Sequence, residues 1–78
     1  MNQEVITELN KILPVVERVH GDHHPELHEV AKLYKALLEG EDVFEELRKV
    51  TSDYTAPSDA CPTYIKTYND LKKLDEEH

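Results

Sequence analysis

The sequence predicts an all-α protein, a small four-helix bundle whose helices run up, down, up and down. The composition favours helix over sheet, because Glu, Lys and Leu are abundant, only two glycines are present and tryptophan is absent. Apolar residues recur at three- and four-residue steps in four segments, the spacing of one buried helix face. The connections are short, so consecutive helices should be antiparallel neighbours. Residues 1–78 are therefore expected to form one small domain.

The first predicted helix covers residues 2–19 and contains a proline. Pro14 removes a backbone donor from the helix interior, so it predicts either a kink or a division into two short pieces. The apolar stripe consists of Val5, Leu9, Ile12, Val16 and Val19, widened by Ile6 and Leu13.

The first turn is the clearest break in the pattern. Gly21 stands where a helix C-cap favours a left-handed residue, and Pro25 suits a first helical turn. Because proline disfavours helical geometry in the preceding residue, His24 is expected at or near the N-cap of a second helix, residues 25–39. Gly40 should end this helix. Its stripe consists of Leu27, Val30, Ala31, Tyr34, Leu37 and Leu38, widened by Leu33.

Two further helices are predicted at residues 43–53 and 59–77. Asp42 can cap the third helix, and Ser58 or Asp59 can cap the fourth. The segment between them, residues 51–57, is polar and ends in proline, as is typical of a loop. Core positions are Val43, Phe44, Leu47 and Val50 in the third helix, and Cys61, Tyr64, Ile65, Tyr68, Leu71 and Leu74 in the fourth.

The tyrosines are predicted to have structural roles. Tyr64 and Tyr68 lie one turn apart and should pack in or beside the core with their hydroxyls at the surface, and Tyr34 should do the same. Tyr54 lies in the loop, where the sequence offers it no recognisable partner.

Charge and cysteine content exclude several classes of protein. The formal net charge of −8 argues against binding to nucleic acid or to an anionic membrane, which both need clustered Lys and Arg. No apolar run is long enough to span a bilayer, and the opening MNQEV does not resemble a signal peptide, so a cytoplasmic protein is expected. The single Cys61 excludes an internal disulfide framework and a cysteine-rich zinc site.

The best candidate for local chemistry is a cluster of turn histidines. Imidazole is a common ligand of iron, zinc, copper and nickel, and Glu26 or Glu29 can add a carboxylate. The alternative interpretation is structural, with the histidines capping the turn or exposed to water. The candidate ligands of iron or another transition metal are His20, His23, His24 and His28.

No constellation of catalytic residues is visible, so no enzyme activity is predicted. Cys61 has no paired base in the sequence and is interpreted as a small apolar residue at the start of the last helix. The acidic groups at residues 39–46 and 75–77 are interpreted as solvated faces, without the spacing of a calcium loop.

Two stretches resemble the hemerythrin-like iron–sulfur cluster repair proteins, also called di-iron repair proteins. The segment VVERVHGDHHPEL (Val15–Leu27) resembles the first interhelical turn of that family, and LRKVTSDYTAPSDACPTYIKTYNDLKKL (Leu47–Leu74) resembles its last. The second is the more specific, because Ala60-Cys61 follows threonine, proline and an acidic residue and precedes Tyr64 and Tyr68. Together they cover about half the chain in the same order. The resemblance implies a four-helix bundle.

The departures from the family concern its di-iron site. Members hold two irons through His-x-x-x-Glu ending helix two, Glu-His opening helix three and His-x-x-x-Glu on helix four, and none of these is present. Between Leu38 and Glu45 the chain has only a tight turn, and His78 is expected to lie about one turn short of the last ligands. Helix one likewise begins too late for the first histidine. His20 matches a recurrent family histidine, which implies a position near the turn and not coordination of iron.

The sequence therefore predicts a truncated hemerythrin-like bundle, in which the end without metal is kept and a new turn at Gly40 closes the other end. The first hypothesis is a non-catalytic binding module without a cofactor, acting in iron–sulfur cluster repair or nitrosative stress. It would bind a protein partner, or a second copy as a homodimer, through an apolar helix face. The alternative hypothesis is a metal-binding protein that uses the turn histidines.

Overall fold

The computed structural model describes all 78 residues and contains four helices and no strand. The helices are α1 (Gln3–His20), α2 (Glu26–Leu38), α3 (Phe44–Val50) and α4 (Pro62–Glu77). The prediction of an all-α fold with four helices is confirmed. None of the helices combines the length and the apolar character that crossing a membrane requires.

Helix α1 is continuous over 18 residues, so the alternative of two short pieces was wrong. The Asn2 side chain caps it, since its Oδ1 accepts hydrogen bonds from the backbone amides of Glu4 and Val5 at 3.1 and 3.2 Å. Pro14 lies on the exposed side of the helix. Its ring therefore does not enter the core, and its missing amide removes one intrahelical hydrogen bond without ending the helix.

The turn after α1 differs from the prediction at Gly21. This residue has a right-handed backbone (φ −60°, ψ −29°) and its amide donates to the carbonyl of Glu17 at 2.9 Å. Glycine is needed for space: a Cβ here would overlap the Glu17 carbonyl and come within 2.9 Å of the His28 ring. Gly40, by contrast, has a φ of +98° and ends α2 as predicted.

The third helix stops three residues earlier than predicted. Ser52, Asp53 and Tyr54 all have positive φ (53°, 59° and 62°), a run that no right-handed helix can contain. Thr51 holds this turn in place, because its hydroxyl donates to the Leu47 carbonyl at 2.6 Å and accepts from the Tyr54 amide at 2.8 Å. The predicted end of the helix at residue 53 was wrong, because hydrogen bonds between the Thr51 side chain and the nearby backbone compete with continuation of the helix.

The fourth helix begins at Pro62, three residues later than predicted, and its cap is Cys61 instead of Ser58 or Asp59. The Cys61 Sγ accepts from the Tyr64 amide at 3.4 Å. At the start of α3, Asp42 Oδ1 accepts from the Phe44 amide at 3.4 Å, in line with the predicted cap. In α2 the N-cap position is Pro25, not His24, and no side chain caps the helix.

The helices enclose one core of apolar residues drawn from all four elements. Three residues of the predicted stripes are exposed: Val19, Leu38 and Ile65 are 60%, 45% and 42% exposed. These residues sit near helix ends or on the margins of the stripes, where no neighbouring helix covers them. The core consists of Val5, Ile6, Leu9, Leu13, Val16, Leu27, Val30, Tyr34, Leu37, Val43, Phe44, Leu47, Tyr54, Tyr64, Tyr68, Leu71 and Leu74.

Polar contacts between helices define their directions. Glu17 near the end of α1 contacts His28 near the start of α2, so these two helices are antiparallel. The last residue of α1 contacts the cap of α4, and Glu8 contacts Lys66 further along, so α1 and α4 are antiparallel as well. The α1–α2 turn and the α3–α4 loop therefore meet at one end of the molecule, called here the histidine end (residues 20–28 and 57–64).

Candidate functional site

The structure gives the turn histidines separate partners instead of bringing the four together. His20 contacts Cys61, His24 contacts Asp59, and His28 contacts Glu17. His23 is exposed and makes no side-chain hydrogen bond or ion pair. No group of three or more His, Cys, Asp or Glu residues is arranged to hold a metal ion. Metal binding by these histidines stays a prediction, and the structure contains no preformed set of ligands for it.

His24 ties the first turn to the last loop. Its Nε2 lies 3.0 and 3.1 Å from the two carboxylate oxygens of Asp59, and its Nδ1 lies 3.4 Å from Oε2 of Glu26. The hydrogen bond to Asp59 raises the pKa of His24, and the same bond lowers the pKa of Asp59. A protonated ring can donate from both nitrogens, so His24 and Asp59 form an ion pair that joins segments 35 residues apart.

Of the two carboxylates predicted to support the cluster, Glu26 lies beside His24 while Glu29 is exposed and makes no ion pair with a histidine. The His28 Nδ1 lies 2.9 Å from Oε2 of Glu17, a residue that sequence reasoning did not select. Because α1 and α2 are antiparallel here, this contact forms a cross-link over the turn.

Cys61 has the base that the sequence did not reveal. The Nε2 of His20 lies 3.2 Å from the Cys61 Sγ, although the two residues are 41 positions apart. The His20 ring packs against the Tyr64 ring with centroids 5.1 Å apart. A small groove between α1 and α4 opens beside the pair and has a volume of about 90 Å³. The groove is lined by Val15, Val16, Val19, His20, Cys61 and Thr63.

The tyrosines of α4 are more deeply buried than predicted. Tyr64 is 0% and Tyr68 is 2% exposed, and their rings meet edge to face at 5.2 Å. The Tyr64 hydroxyl is buried without a hydrogen-bond partner, so the expectation that it reaches the surface was wrong. Burial raises the pKa of both phenols. Tyr34 is buried too, and its hydroxyl donates to Asn10 Oδ1 at 2.7 Å.

A second polar cluster lies between α1 and α4 and was not predicted. Asp70 is 6% exposed, and its Oδ2 has no hydrogen-bond partner. Lys66 Nζ lies 2.8 Å from Glu8 Oε1 and 3.7 Å from Asp70 Oδ1. Burial, followed by the neighbouring Glu8 carboxylate, raises the pKa of Asp70 to about 6. The hydrogen bond from Lys66 lowers the pKa of Glu8, so the two carboxyl groups titrate apart.

A third polar cluster joins the α3–α4 loop to the last turn of α4. The Tyr54 hydroxyl donates to Asp75 Oδ2 at 2.9 Å, and Arg48 Nε donates to the same oxygen at 2.8 Å. Both earlier interpretations were therefore wrong: Tyr54 is buried with a partner, and Asp75 is not part of a solvated face. Although burial opposes its charge, the bonds from Arg48 and Tyr54 lower the pKa of Asp75.

The largest of three cavities lies at the end of the molecule opposite the histidine end. It measures about 240 Å³ and is an open depression near the Gly40 turn. His78 stacks on the Phe44 ring there, with ring centroids 4.4 Å apart. Neither this depression nor the groove beside Cys61 contains the convergent polar groups of an ordinary enzyme site. The depression is lined by Met1, Leu37, Gly40, Glu41, Asp42, Phe44 and His78.

Comparison of the chain with protein-family models, with curated proteins and with solved structures gives no match.

Proposed function

We propose that this chain is a non-catalytic binding module that holds a protein partner in the groove between α1 and α4. The observation that carries the proposal is the exposure of two valines, one turn apart, on the last half of α1. Val15 is 41% and Val19 is 60% exposed, and both line the groove beside Cys61. Exposed apolar side chains that line a groove between two helices can bind an apolar side chain of another protein.

The charge of the chain favours one kind of partner. A net charge of −8 on 78 residues attracts a cationic surface over several ångströms and repels a second copy of the same chain. The proposed partner is therefore a protein that offers an apolar side chain surrounded by Lys and Arg. Self-association as a homodimer is the competing outcome of the experiment.

The relationship to the hemerythrin-like iron–sulfur cluster repair proteins is part of this proposal. Its support is the order of four helices and the meeting of the two resembling segments at one end, where His20 contacts Cys61 and His24 contacts Asp59. The di-iron centre of that family does not fit this chain, because no three potential ligands converge. We propose a shortened relative that works in the cytoplasm, in the repair or nitrosative-stress response, without the family's metal chemistry.

The test compares two aspartate variants, each at an exposed apolar residue of a helix. Val19→Asp places a charge in the groove, while Leu38→Asp makes a similar change in α2, away from the groove. Both should fold, because exposed substitutions typically change the free energy of unfolding by less than about 0.5 kcal/mol. A photo-crosslinker at position 15 is then used to identify the bound protein in cells producing each variant.

The proposal expects one cationic protein to crosslink to the parent chain and to Leu38→Asp, but not to Val19→Asp. Its yield should fall as the salt concentration rises, because opposite charges steer the encounter. Equal crosslinking by both variants would exclude the groove. If sedimentation velocity shows a concentration-dependent dimer that Val19→Asp abolishes, the groove binds a second copy of this chain instead of another protein.

Metal binding is the second candidate, and one contact favours it. The His20 imidazole and the Cys61 thiolate can both ligate a transition metal such as iron, and their ligating atoms lie 3.2 Å apart. Elemental analysis of untagged protein, purified anaerobically and washed with a mild chelator, tests this candidate. Stoichiometric metal that disappears in a His20→Ala, His24→Ala double variant would establish it. Metal that survives the double change would mean that other residues bind it. Parent protein that contains no metal would count against this candidate and favour the binding module.

A further inference from the structure

Cys61 and His20 form a proton-sharing pair at the joint of two helices. Cys61 is the cap of α4 and His20 is the last residue of α1, and Sγ and Nε2 lie 3.2 Å apart. At that distance the thiol can donate its proton to a neutral imidazole, or an imidazolium can donate to a thiolate. The Tyr64 amide also donates to Sγ at 3.4 Å, which holds the sulfur in place at the start of α4. A nucleophile beside a base is the arrangement of thiol chemistry.

The groove next to this pair provides the second requirement, a place for a reactant. It has room for a few heavy atoms, about 90 Å³, and both reactive side chains stand in its wall. Its remaining lining is Val15, Val16, Val19 and Thr63, which carry no charge. Cys61 is half-buried and lines the groove. The other histidine pairs contain no nucleophile, since their partners are Asp59 and Glu17.

We propose that Cys61 and His20 are a covalent modification site for small, uncharged electrophiles with a polarised carbon–carbon double bond, such as α,β-unsaturated carbonyl compounds. His20 Nε2 accepts the thiol proton and the sulfur attacks the β-carbon. The new S–C bond forms as the π pair of the double bond moves onto the carbonyl as an enolate. The imidazolium then returns a proton to the α-carbon. The product is a thioether, and the addition needs no oxidant and releases no leaving group.

The chemistry of the groove selects the electrophile. Valine side chains offer apolar contact and no cation to hold a carboxylate or phosphate. The net charge of −8 further lowers the local concentration of anions. An anionic reagent should therefore be disfavoured relative to a neutral reagent of the same intrinsic reactivity. This site shares its groove with the proposed protein partner, but it does not rest on that proposal, because the addition requires only the thiol, the imidazole and the groove.

N-ethylmaleimide is the probe, and mass spectrometry follows its addition to the 78-residue chain at neutral pH. The reference is the same chain unfolded in urea, in which Cys61 keeps its sequence neighbours but loses His20. General-base assistance predicts that the native chain reacts at least about tenfold faster than the unfolded chain. A native rate equal to or below the unfolded rate would overturn the proposal, and this comparison requires no variant.

Two variants and one matched reagent complete the test. His20→Gln removes the base and should bring the native rate within about threefold of the unfolded rate, whereas His78→Gln makes the same change at the opposite end and should leave it unchanged. An unchanged rate in folded His20→Gln would overturn the role of the imidazole. A maleimide that carries a carboxylate should be disfavoured at least about fivefold more by the native than by the unfolded chain. Equal discrimination would exclude the groove as the electrophile's site.

Discussion

Replacing Asp70 by asparagine should stabilise the protein at neutral pH. Asp70 lies in the α1–α4 interface, where its carboxyl is almost completely buried beside Glu8 and only a 3.7 Å contact with Lys66 offsets its charge. Asparagine has nearly the same shape and remains neutral at every pH. Its amide nitrogen can donate a hydrogen bond to the neighbouring Glu8 carboxylate. The change therefore removes the charge and preserves the packing.

The magnitude follows from the displaced pKa. Asp70 titrates at about 6 in the folded protein and near 3.8 when unfolded, so the folded state binds this proton more tightly. Protonated Asp70 thus contributes stability at low pH, and this contribution is lost as the pH rises through about 6. A displacement of about two pH units corresponds to about 3 kcal/mol at neutral pH. That is a large share of the stability expected for so small a domain.

Urea unfolding followed by circular dichroism, at about pH 7.5 and pH 4, measures this effect. Asp70→Asn should gain up to about 3 kcal/mol at the higher pH and less than about 1 kcal/mol at the lower. Asp22→Asn is the control, because Asp22 is exposed and makes no ion pair; it should change stability by less than about 0.5 kcal/mol at either pH. An Asp70→Asn gain that is absent at pH 7.5, or equally large at pH 4, would refute the reasoning.

Three other substitutions test the turns and the loop. Gly21→Ala should lower the free energy of unfolding by about 1–3 kcal/mol, because the added Cβ meets backbone, and a melt as stable as the parent would contradict this. Tyr54→Phe should cost about 1–2 kcal/mol in urea unfolding through loss of the part-buried hydrogen bond to Asp75, and an unchanged midpoint would show that water replaces it. His24→Gln should lower the melting temperature below about pH 6, where the ring is charged beside Asp59, and have less effect at high pH. The same loss at every pH would assign His24 a packing role.

The sequence predicted the elements of the fold but not the partners in its sites. Helical apolar spacing located all four helices, and Gly40 marked a true left-handed turn, because these features depend on neighbours within one helical turn. The His20–Cys61 and His24–Asp59 contacts join residues 41 and 35 positions apart, and no local pattern encodes such contacts. A histidine-rich turn thus suggested one shared metal site where the structure has separate pairs.

Buried polar residues were missed for a related reason. Asp70 occupies a polar position in the α4 pattern, but it is 6% exposed and lies beside Glu8 of α1. Val19 shows the opposite error: its spacing assigned it to the core, but its side of α1 is left uncovered. Helical periodicity identifies the direction of a face, while the position of neighbouring helices determines which parts of that face are buried.

The two titrating pairs between distant segments should act in separate pH ranges. The raised pKa of Asp70 makes stability fall between about pH 4 and pH 6. The raised pKa of His24 means that its ion pair with Asp59 contributes fully below about 6.5 and is lost as the pH rises through the folded-state value. Both contributions decrease as the pH rises, whereas the lowered pKa of Asp75 makes stability decrease at low pH, so the parent protein should be most stable in mildly acidic solution.

Combining the two substitutions separates these contributions. Asp70→Asn should flatten the stability profile below about pH 6, and His24→Gln should flatten it above about pH 6.5. Because Asp70 lies on the α1–α4 interface and His24 at the histidine end, the two effects should add in the double variant. Thermal melts of the four proteins across the pH range provide the measurement. A double variant that keeps the parent's loss of stability at alkaline pH would show that other groups control it.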